Sequence, residues 1–498
     1  MESPYKERFE ALLDWAHNHG ASLHPSLEVY LDEKTGFSLR IKPSAAESLH
    51  PPFKAVTCPT SITLSYLNAL IDGPITPSPT PPAPNTQKAA FPERFMTSLP
   101  PHVIGRFYLI QQYLKGKSSF WAPYISTLTD PSQLDKWTLP PFWTEDDIEL
   151  LRGTNAHVAI HEIQHNVKSE YKQARKILKQ EAFPDYRAYT QMLYNWAYCM
   201  FTSRSFRPSL ILSESATEYV QRLLPGGAKI DDFSILQPLY DIGNHSMEAE
   251  YTWNLTAEPS ACDLICRNNY EPGEQVFNNY GKKTNSELLL GYGFIIDSTG
   301  EGLHNDYIHV RKRQRQQDDT QAKGGEPQDF LIARDSYWDS DSYSFKTLKS
   351  RMGNFTPNLL HYQFEHWDGR LLNDMVSMMA TPKQWELFKA LPQDRALMNR
   401  SLGEELDPLV DMLKATLAQK IERDFVEFSC GEPNGGREWE PETERQDLIK
   451  RYRDGYERVF VNVLMAFGYT NEEIMELRVA AQDDEEDEVE DEEMEDGN

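Results

Sequence analysis

The chain has 498 residues, of which 39% are hydrophobic and 11% aromatic, enough for two or three domains around substantial cores. Its formal net charge of −27 disfavours non-specific binding to nucleic acid and favours basic protein partners. No run of about eighteen apolar residues occurs, so no membrane-spanning helix is expected.

The opening MESPYKERFEALLDW is charged and amphipathic, without the apolar centre of a signal peptide. Over 5–20 it reads as a helix, with Phe9, Leu12, Leu13 and Ala16 on one face and Gly20 as the stop. Residues 27–41 alternate as a hairpin with Lys34-Thr35-Gly36 at the turn. Residues 73–88, GPITPSPTPPAPNTQK, form a proline-rich surface loop. From about 100 to 225 the pattern is mostly helical, and 231–296 returns to short strand-like runs. A polar stretch at 311–328 marks a boundary, and 345–477 is again helical. The end, Asp483 to Asp496, holds 12 acids and no base and reads as a disordered tail. Five scattered cysteines (Cys58, Cys199, Cys262, Cys266 and Cys430) include no C-x-x-C pair, which points to a reduced intracellular setting.

Within the helical stretch, His161-Glu162-Ile163-Gln164-His165 spells H-E-x-x-H, the pattern by which two imidazoles hold zinc beside a glutamate base. Ala159, Ile163, Val167, Tyr171, Ala174 and Leu178 make one apolar stripe, and the two histidines lie roughly 160° from Ile163 around the helix. Their own face continues through Lys168 and Lys172, which favours a solvated surface over a metal site. Glu170 and Glu181 remain available as a third ligand, so a zinc peptidase stands as a remote alternative.

The sharper signal is EPGEQVFNNYGKKTNSELLLGYGFII, residues 271–296, preceded by LQPLYDIGNHS, residues 236–246. Together with FEALLDWAHNHGA, SSFWAPY (118–124) and NWAYCMFTSRSF (195–206), these blocks closely resemble the SET-domain protein methyltransferases. They look most like the subfamily typified by the Rubisco large-subunit lysine methyltransferase, which also includes methyltransferases of ribosomal proteins and elongation factors and an actin histidine methyltransferase. The resemblance implies an α+β fold. A β-rich SET domain (22–300) follows an N-terminal helix (1–21) and is split by a helical insertion at about 100–230. A linker (301–329), a helical substrate-binding domain (330–480) and the acidic tail (481–498) come after it.

The resemblance also implies site residues. Tyr280 matches the catalytic tyrosine. Asn244, His245, Arg204 and Phe294 match positions around the donor, S-adenosylmethionine, together with the loop Gly36, Phe37, Ser38 and Leu39. Asp241, Arg204 and Tyr292 match substrate-contacting positions, and Asn285 and Glu287 structural ones. Tyr251 and Trp253 either line the lysine channel or pack in a strand. No metal is implied. The loop departs from the family's Gly-Arg-Gly-Leu: Ser38 lacks glycine's conformational freedom and Phe37 removes a cation.

The chemistry agrees with these residue types. Methyl transfer from a sulfonium to an amine is an in-line displacement that needs alignment, a neutral amine and exclusion of water. Lysine ionises near about 10.4, and a narrow apolar channel beside a cation disfavours its charged form. The expected function is S-adenosylmethionine-dependent methylation of lysine on a basic protein, such as a ribosomal protein or translation factor. The expected enzyme is a cytoplasmic or nuclear monomer without nucleic-acid or membrane contacts. A histidine acceptor, or a catalytically silent SET-like binding protein, remains as an alternative.

Overall fold

A computed structural model describes residues 4–77, 88–257, 260–298, 304–311, 329–353, 355–431 and 439–479. Most of the proline-rich loop, nearly all of the polar stretch 311–328 and the acidic tail lie outside the described residues. The chain divides into two units, one of Met1–Phe142 with Ile163–Gly281, the other of Trp143–Glu162 with the chain from Lys282 onward.

In the first unit the opening helix runs Pro4–Asn18 and buries Phe9, Leu12 and Ala16, with Leu13 partly covered. Gly20, at φ +86°, ends it. The hairpin pairs Leu27–Asp32 with Gly36–Ile41, from Leu27 opposite Ile41 to Asp32 opposite Gly36. Its turn is closed by the Asp32 carboxylate, which accepts from the backbone N–H groups of Lys34 (3.0 Å) and Thr35 (2.9 Å). This is the local bond that makes aspartate a turn residue. Gln275–Val276 adds a third strand beside Gly36–Ile41. A second sheet orders Ser22–Leu23, Phe53–Pro59, Ser260–Cys266 and Tyr251–Ala257, all antiparallel. A third, of short strands, orders Leu64–Ser65, Ile235–Leu236 and Ser205–Phe206.

Helices occupy much of 93–223, among them Pro101–Lys115, Asn155–Gln180, Gln191–Arg204 and Glu214–Leu223. Glu170 binds three of their side chains, accepting from Arg106 (2.7 Å) and Tyr194 Oη (2.8 Å) and meeting His102 Nε2 at 2.8 Å. In Asn155–Gln180 the expected stripe is the buried one: Val167, Tyr171, Ala174 and Leu178 pack in the first core.

The second unit is mainly helical. Leu409, Leu413, Leu417, Ile421, Phe425 and Phe428 recur at helical spacing on Asp407–Cys430 and share a core with Ile449, Tyr452, Tyr456, Val459, Phe460 and Val463 of Glu444–Phe467. A two-stranded ladder, Tyr307–Arg311 with Asp329–Ala333, completes it. Strand-like runs were expected throughout 231–296, but Asn285–Tyr292 is a helix. Thr284 caps it and Glu287 returns the bond, a Thr-x-x-Glu capping box that outweighs the short apolar run Leu288–Leu290.

Gly153 turns the chain at φ +76°, where an added Cβ would lie 2.6 Å from Phe428 Cα and 2.8 Å from Glu427 O. Both neighbours are backbone atoms that cannot swing aside. Gly153→Ala is therefore expected to lower the unfolding free energy by about 3 kcal/mol, from overpacking and a left-handed alanine. A urea unfolding series against wild type measures it.

Candidate active site

The site is built where three segments of the first unit meet: the strand Gly36–Ile41, residues 243–246 and residues 275–280. Gln275 and Val276 pair with Arg40 and Leu39. His245 and Asn278 form a parallel bridge, with Asn278 N–H donating to Asn244 O (2.7 Å) and Ser246 N–H to Asn278 O (2.9 Å). Tyr280 leaves this arrangement just before Gly281, which turns at φ +94°.

Tyr280 is held at three points. Its ring stacks on His245 with centroids 5.0 Å apart and planes at 16°. Its backbone N–H donates to His245 Nδ1 at 3.1 Å. In that arrangement Nδ1 is an acceptor, so a neutral imidazole carries its proton on Nε2. The hydroxyl donates to the carbonyl of Gly243 at 2.9 Å. Tyr251 donates its own hydroxyl to Asn279 O (2.7 Å), one residue before Tyr280, and its ring lies 5.6 Å from Trp253. Both aromatics stand on the strand Tyr251–Ala257 and pack partly buried against the first core.

Arg204 ends the helix Gln191–Arg204 and reaches the short turn Tyr240–Ile242. Its guanidinium donates to Asp241 O (3.2 Å) and lies 3.5 Å from the Asp241 carboxylate. That carboxylate is 2% exposed and also accepts from Tyr124 Oη at 2.8 Å. Burial raises the Asp241 carboxyl above its ordinary value, against the pull of Arg204 and Tyr124. Burial also works against the Arg204 charge, yet Asp241, then Tyr124 and Tyr280, hold the guanidinium above its usual value. Burial and the Asp241 charge push the Tyr124 hydroxyl well above the ordinary phenol range, so it stays a donor. Tyr280, Arg204, Asp241 and Tyr124 thus form one electrostatic group.

The loop Gly36–Leu39 is strand backbone with its side chains divided between two faces. Phe37 packs on Phe9 and Tyr5 of the opening helix, with ring centroids 4.6 and 5.4 Å away. Leu39 enters the core. Ser38 is fully buried and donates its hydroxyl to Gln275 Oε1 at 2.8 Å. Asn244 Nδ2 donates to that same Oε1 (3.0 Å) and to Thr35 O (3.3 Å). Gly36, Phe37, Ser38, Leu39, Arg204, Asp241, Asn244, His245 and Tyr280 therefore all belong to the first unit.

Tyr292 and Phe294 belong to the second unit. Tyr292 closes the helix Asn285–Tyr292, its ring 6.2 Å from that of Phe294 and 5.7 Å from Lys283 Nζ. Burial, then the Glu287 charge, pushes its hydroxyl up to about 12. Asn285 ties that helix to Ile296 through both side-chain atoms, and Glu287 pairs with Arg351.

Gln275 and Tyr124 were not singled out by sequence reasoning, although both lie inside the quoted blocks. Gln275 fell within the short strand-like runs expected over 231–296, and nothing in the sequence placed it beside the loop. For Tyr124 no signal separated a network hydroxyl from a core tyrosine.

His161 and His165 are both exposed on the helix Asn155–Gln180. His161 Nε2 lies 3.3 Å from His157 Nε2, and Glu162 binds Arg311 at 2.7 Å. Glu170 is committed to Arg106, Tyr194 and His102, and Glu181 lies 3.7 Å from Arg94. Among the described residues no cluster of three or more His, Cys, Asp or Glu is arranged to hold a metal.

Solved structures share this architecture. The SET domain of LSMT bound to lysine and AdoHcy superposes with a TM-score of 0.58 over 95% of this chain and 93% of that one, at 15% identity. Rubisco LSMT bound to AdoMet gives 0.56 with the same coverage. The chain has the LSMT SET-domain fold.

Its sequence relatives agree with the fold. A ribosomal lysine N-methyltransferase of Schizosaccharomyces pombe is 30% identical over 290 residues, 58% of this chain and 46% of that protein. A protein-lysine N-methyltransferase of Saccharomyces cerevisiae is 21% identical over 315 residues, 57% and 48% of the two chains. The actin-histidine N-methyltransferase of Gallus gallus is 26% identical over 202 residues, 40% of this chain and 30% of that one. The chain thus spans less than half the length of the curated relatives it matches. No protein-family model matches it.

The Arg204–Asp241–Tyr124 group makes one pH prediction. Because folding raises the Asp241 carboxyl, the folded state holds its proton longer than the unfolded chain does. Asp241 contributes most below the unfolded value of about 3.9, and this contribution is lost as pH rises through the raised folded value. The stability of wild type minus that of Asp241→Asn should therefore fall with pH across that window. Denaturant unfolding at half-unit steps from pH 3.5 to 6 tests the slope, which a rise would contradict.

Proposed function

We propose that this chain is an S-adenosylmethionine-dependent protein-lysine N-methyltransferase. The observation that carries the reading is Tyr280, its hydroxyl fixed on the Gly243 carbonyl and its ring on His245, next to the Arg204–Asp241 pair in a chain with the LSMT fold. The relatives' lysine specificity supports the choice of acceptor. We extend the proposal to the organisation: a SET domain of 22–300 with its insertion, and a helical substrate-binding domain of 330–480.

The residues around Asn244 suit the donor. Both protons of Asn244 Nδ2 are taken by Thr35 O and Gln275 Oε1, so the amide offers Oδ1, an acceptor, to a cationic ammonium. The backbone of Gly36–Leu39 beside it is free of projecting cations, and the His245–Tyr280 stack supplies an aromatic wall. When bound, the donor supplies an electrophilic methyl carbon on a sulfonium.

This chain's residues do the rest. Tyr251 and Trp253, with ring centroids 5.6 Å apart and Tyr251 bonded to the residue before Tyr280, supply ring faces that can hold an ammonium and exclude water once it is neutral. The Tyr280 hydroxyl, anchored by its proton to Gly243 O, presents oxygen lone pairs to the amine or to the methyl hydrogens. Its anchoring restricts the angle of approach that an in-line displacement requires. Arg204 and Asp241 hold the turn that carries Gly243 and Asn244.

The client we propose is a basic protein, a ribosomal protein or translation factor, bound by a monomer in the cytoplasm or nucleus. The acidic charge and the name of the S. pombe relative support it. No helix among the described residues is long and apolar enough to cross a membrane.

The decisive experiment is transfer of labelled methyl into a lysate of cells lacking this protein. Wild type should label a discrete band, and Tyr280→Phe should lower the rate on the order of 100-fold. Mass spectrometry of that band names the acceptor. Methylhistidine instead of methyllysine would move the chain to the histidine reading. A folded wild type that labels nothing would leave the silent binding protein in its place.

A further inference from the structure

Of the groups in the first unit, Gln275 binds the most parts of the candidate donor site, and neither the motifs nor the comparisons give it a role. Its Oε1 accepts from Ser38 Oγ (2.8 Å) and Asn244 Nδ2 (3.0 Å). Its Nε2 donates to Tyr30 Oη at 2.9 Å, and Tyr30 Oη in turn donates a hydrogen bond to Asp32 Oδ2 at 3.1 Å. The other oxygen of Asp32 accepts from the N–H groups of Lys34 and Thr35, and the Thr35 carbonyl accepts from Asn244. The path closes on itself: Asn244, Gln275, Tyr30, Asp32, Thr35 and back to Asn244.

We infer that Gln275 is a positioning residue for the donor, setting the amide of Asn244 and the Gly36–Leu39 loop in one step and making Ser38 tolerable there. The inference rests on the methyltransferase reading and deepens it. The amide orientation of Gln275 is determined by Asn244: Thr35 O fixes Nδ2 of that residue as the donor, so the Gln275 atom facing it must be the acceptor Oε1, while Tyr30 Oη and Thr35 Oγ1 accept from Nε2. That orientation consumes one proton of Asn244 Nδ2, Thr35 O consumes the other, and Asn244 can then face the donor only with Oδ1.

Ser38 follows from the same bond. A buried hydroxyl without an acceptor is costly, and Ser38 is fully buried. With Oε1 at 2.8 Å the hydroxyl is satisfied and faces away from the strand's other neighbours, Phe37 and Leu39, which pack on the opposite side. Serine in the loop is thus matched to Gln275.

The test is calorimetric titration of S-adenosylmethionine and S-adenosylhomocysteine into the full chain. Gln275→Ala should raise both dissociation constants about ten-fold, the effect of one lost polar contact that orients a binding group. Gln275→Glu loses the donor to Tyr30 Oη, which can turn its own hydrogen to the new carboxylate, but keeps the acceptor for Ser38 and Asn244. S-adenosylhomocysteine, which has no sulfonium for the added charge to attract, should bind this variant within about three-fold of wild type, whether or not the alanine variant folds. Adding Ser38→Gly to Gln275→Ala removes the stranded hydroxyl and should recover part of the lost affinity, which a merely structural residue would not show. If Gln275→Glu binds S-adenosylhomocysteine as weakly as Gln275→Ala, or if folded Gln275→Ala binds as tightly as wild type, the inference is overturned and the methyltransferase reading stands. If wild type itself binds neither ligand, that reading falls and this one with it.

Discussion

Two backbone hydrogen bonds hold the site together: Asn278 N–H to Asn244 O at 2.7 Å and Ser246 N–H to Asn278 O at 2.9 Å. They join segments about thirty residues apart in sequence and side by side in space. Such non-local pairing is bought by the sheets on either side, since a two-bond bridge could not offset its loop-closure entropy alone. The second sheet places Tyr251–Ala257 after the first segment, and the hairpin receives Gln275–Val276 before the second. Once the bridge forms, His245 lies under Tyr280 and the Gly243 carbonyl under its hydroxyl, with no further element needed to aim either group.

The ion pair of Arg204 and Asp241 acts on the same turn from the opposite direction. A buried pair is weak evidence of stability, because desolvation consumes much of its attraction. Its value here lies in definition. A helix end, a tyrosine from another helix and the main chain of 241 share one set of bonds, and moving any of them strands a charge. Burial raises the Asp241 carboxyl above its ordinary value, and Arg204 and Tyr124 pull the other way while fixing its position.

Much of this was legible in the sequence where periodicity and turn chemistry coincide. The opening helix, the hairpin with its Lys34–Gly36 turn and the stripe on Asn155–Gln180 all follow from spacing that burial repeats. Tyr280, Asn244 and Arg204 could be named from ordered blocks. What they touch could not, since Gly243 O and His245 Nδ1 are reached through pairing across the fold. The helix Asn285–Tyr292 escaped because a run of three leucines has no period, although Thr284 and Glu287 had already marked its start. Gln275 escaped for a different reason: a glutamine on a strand looks like a solvated position until its neighbours are known. The H-E-x-x-H letters show the converse, since a pattern of three fixed positions says little when its glutamate pairs with Arg311 and both histidines face outward.

The packing of Phe37 on Phe9 and Tyr5 makes the opening helix part of the loop it covers. A fragment begun at residue 22, the first residue of the β-rich region, would uncover that ring and remove Phe9, Leu12 and Ala16 from the first core. Such a fragment would offer a sticky apolar edge where the helix now covers much of the ring. Truncations that remove Tyr5 and Phe9 therefore act on the loop as directly as a substitution within it.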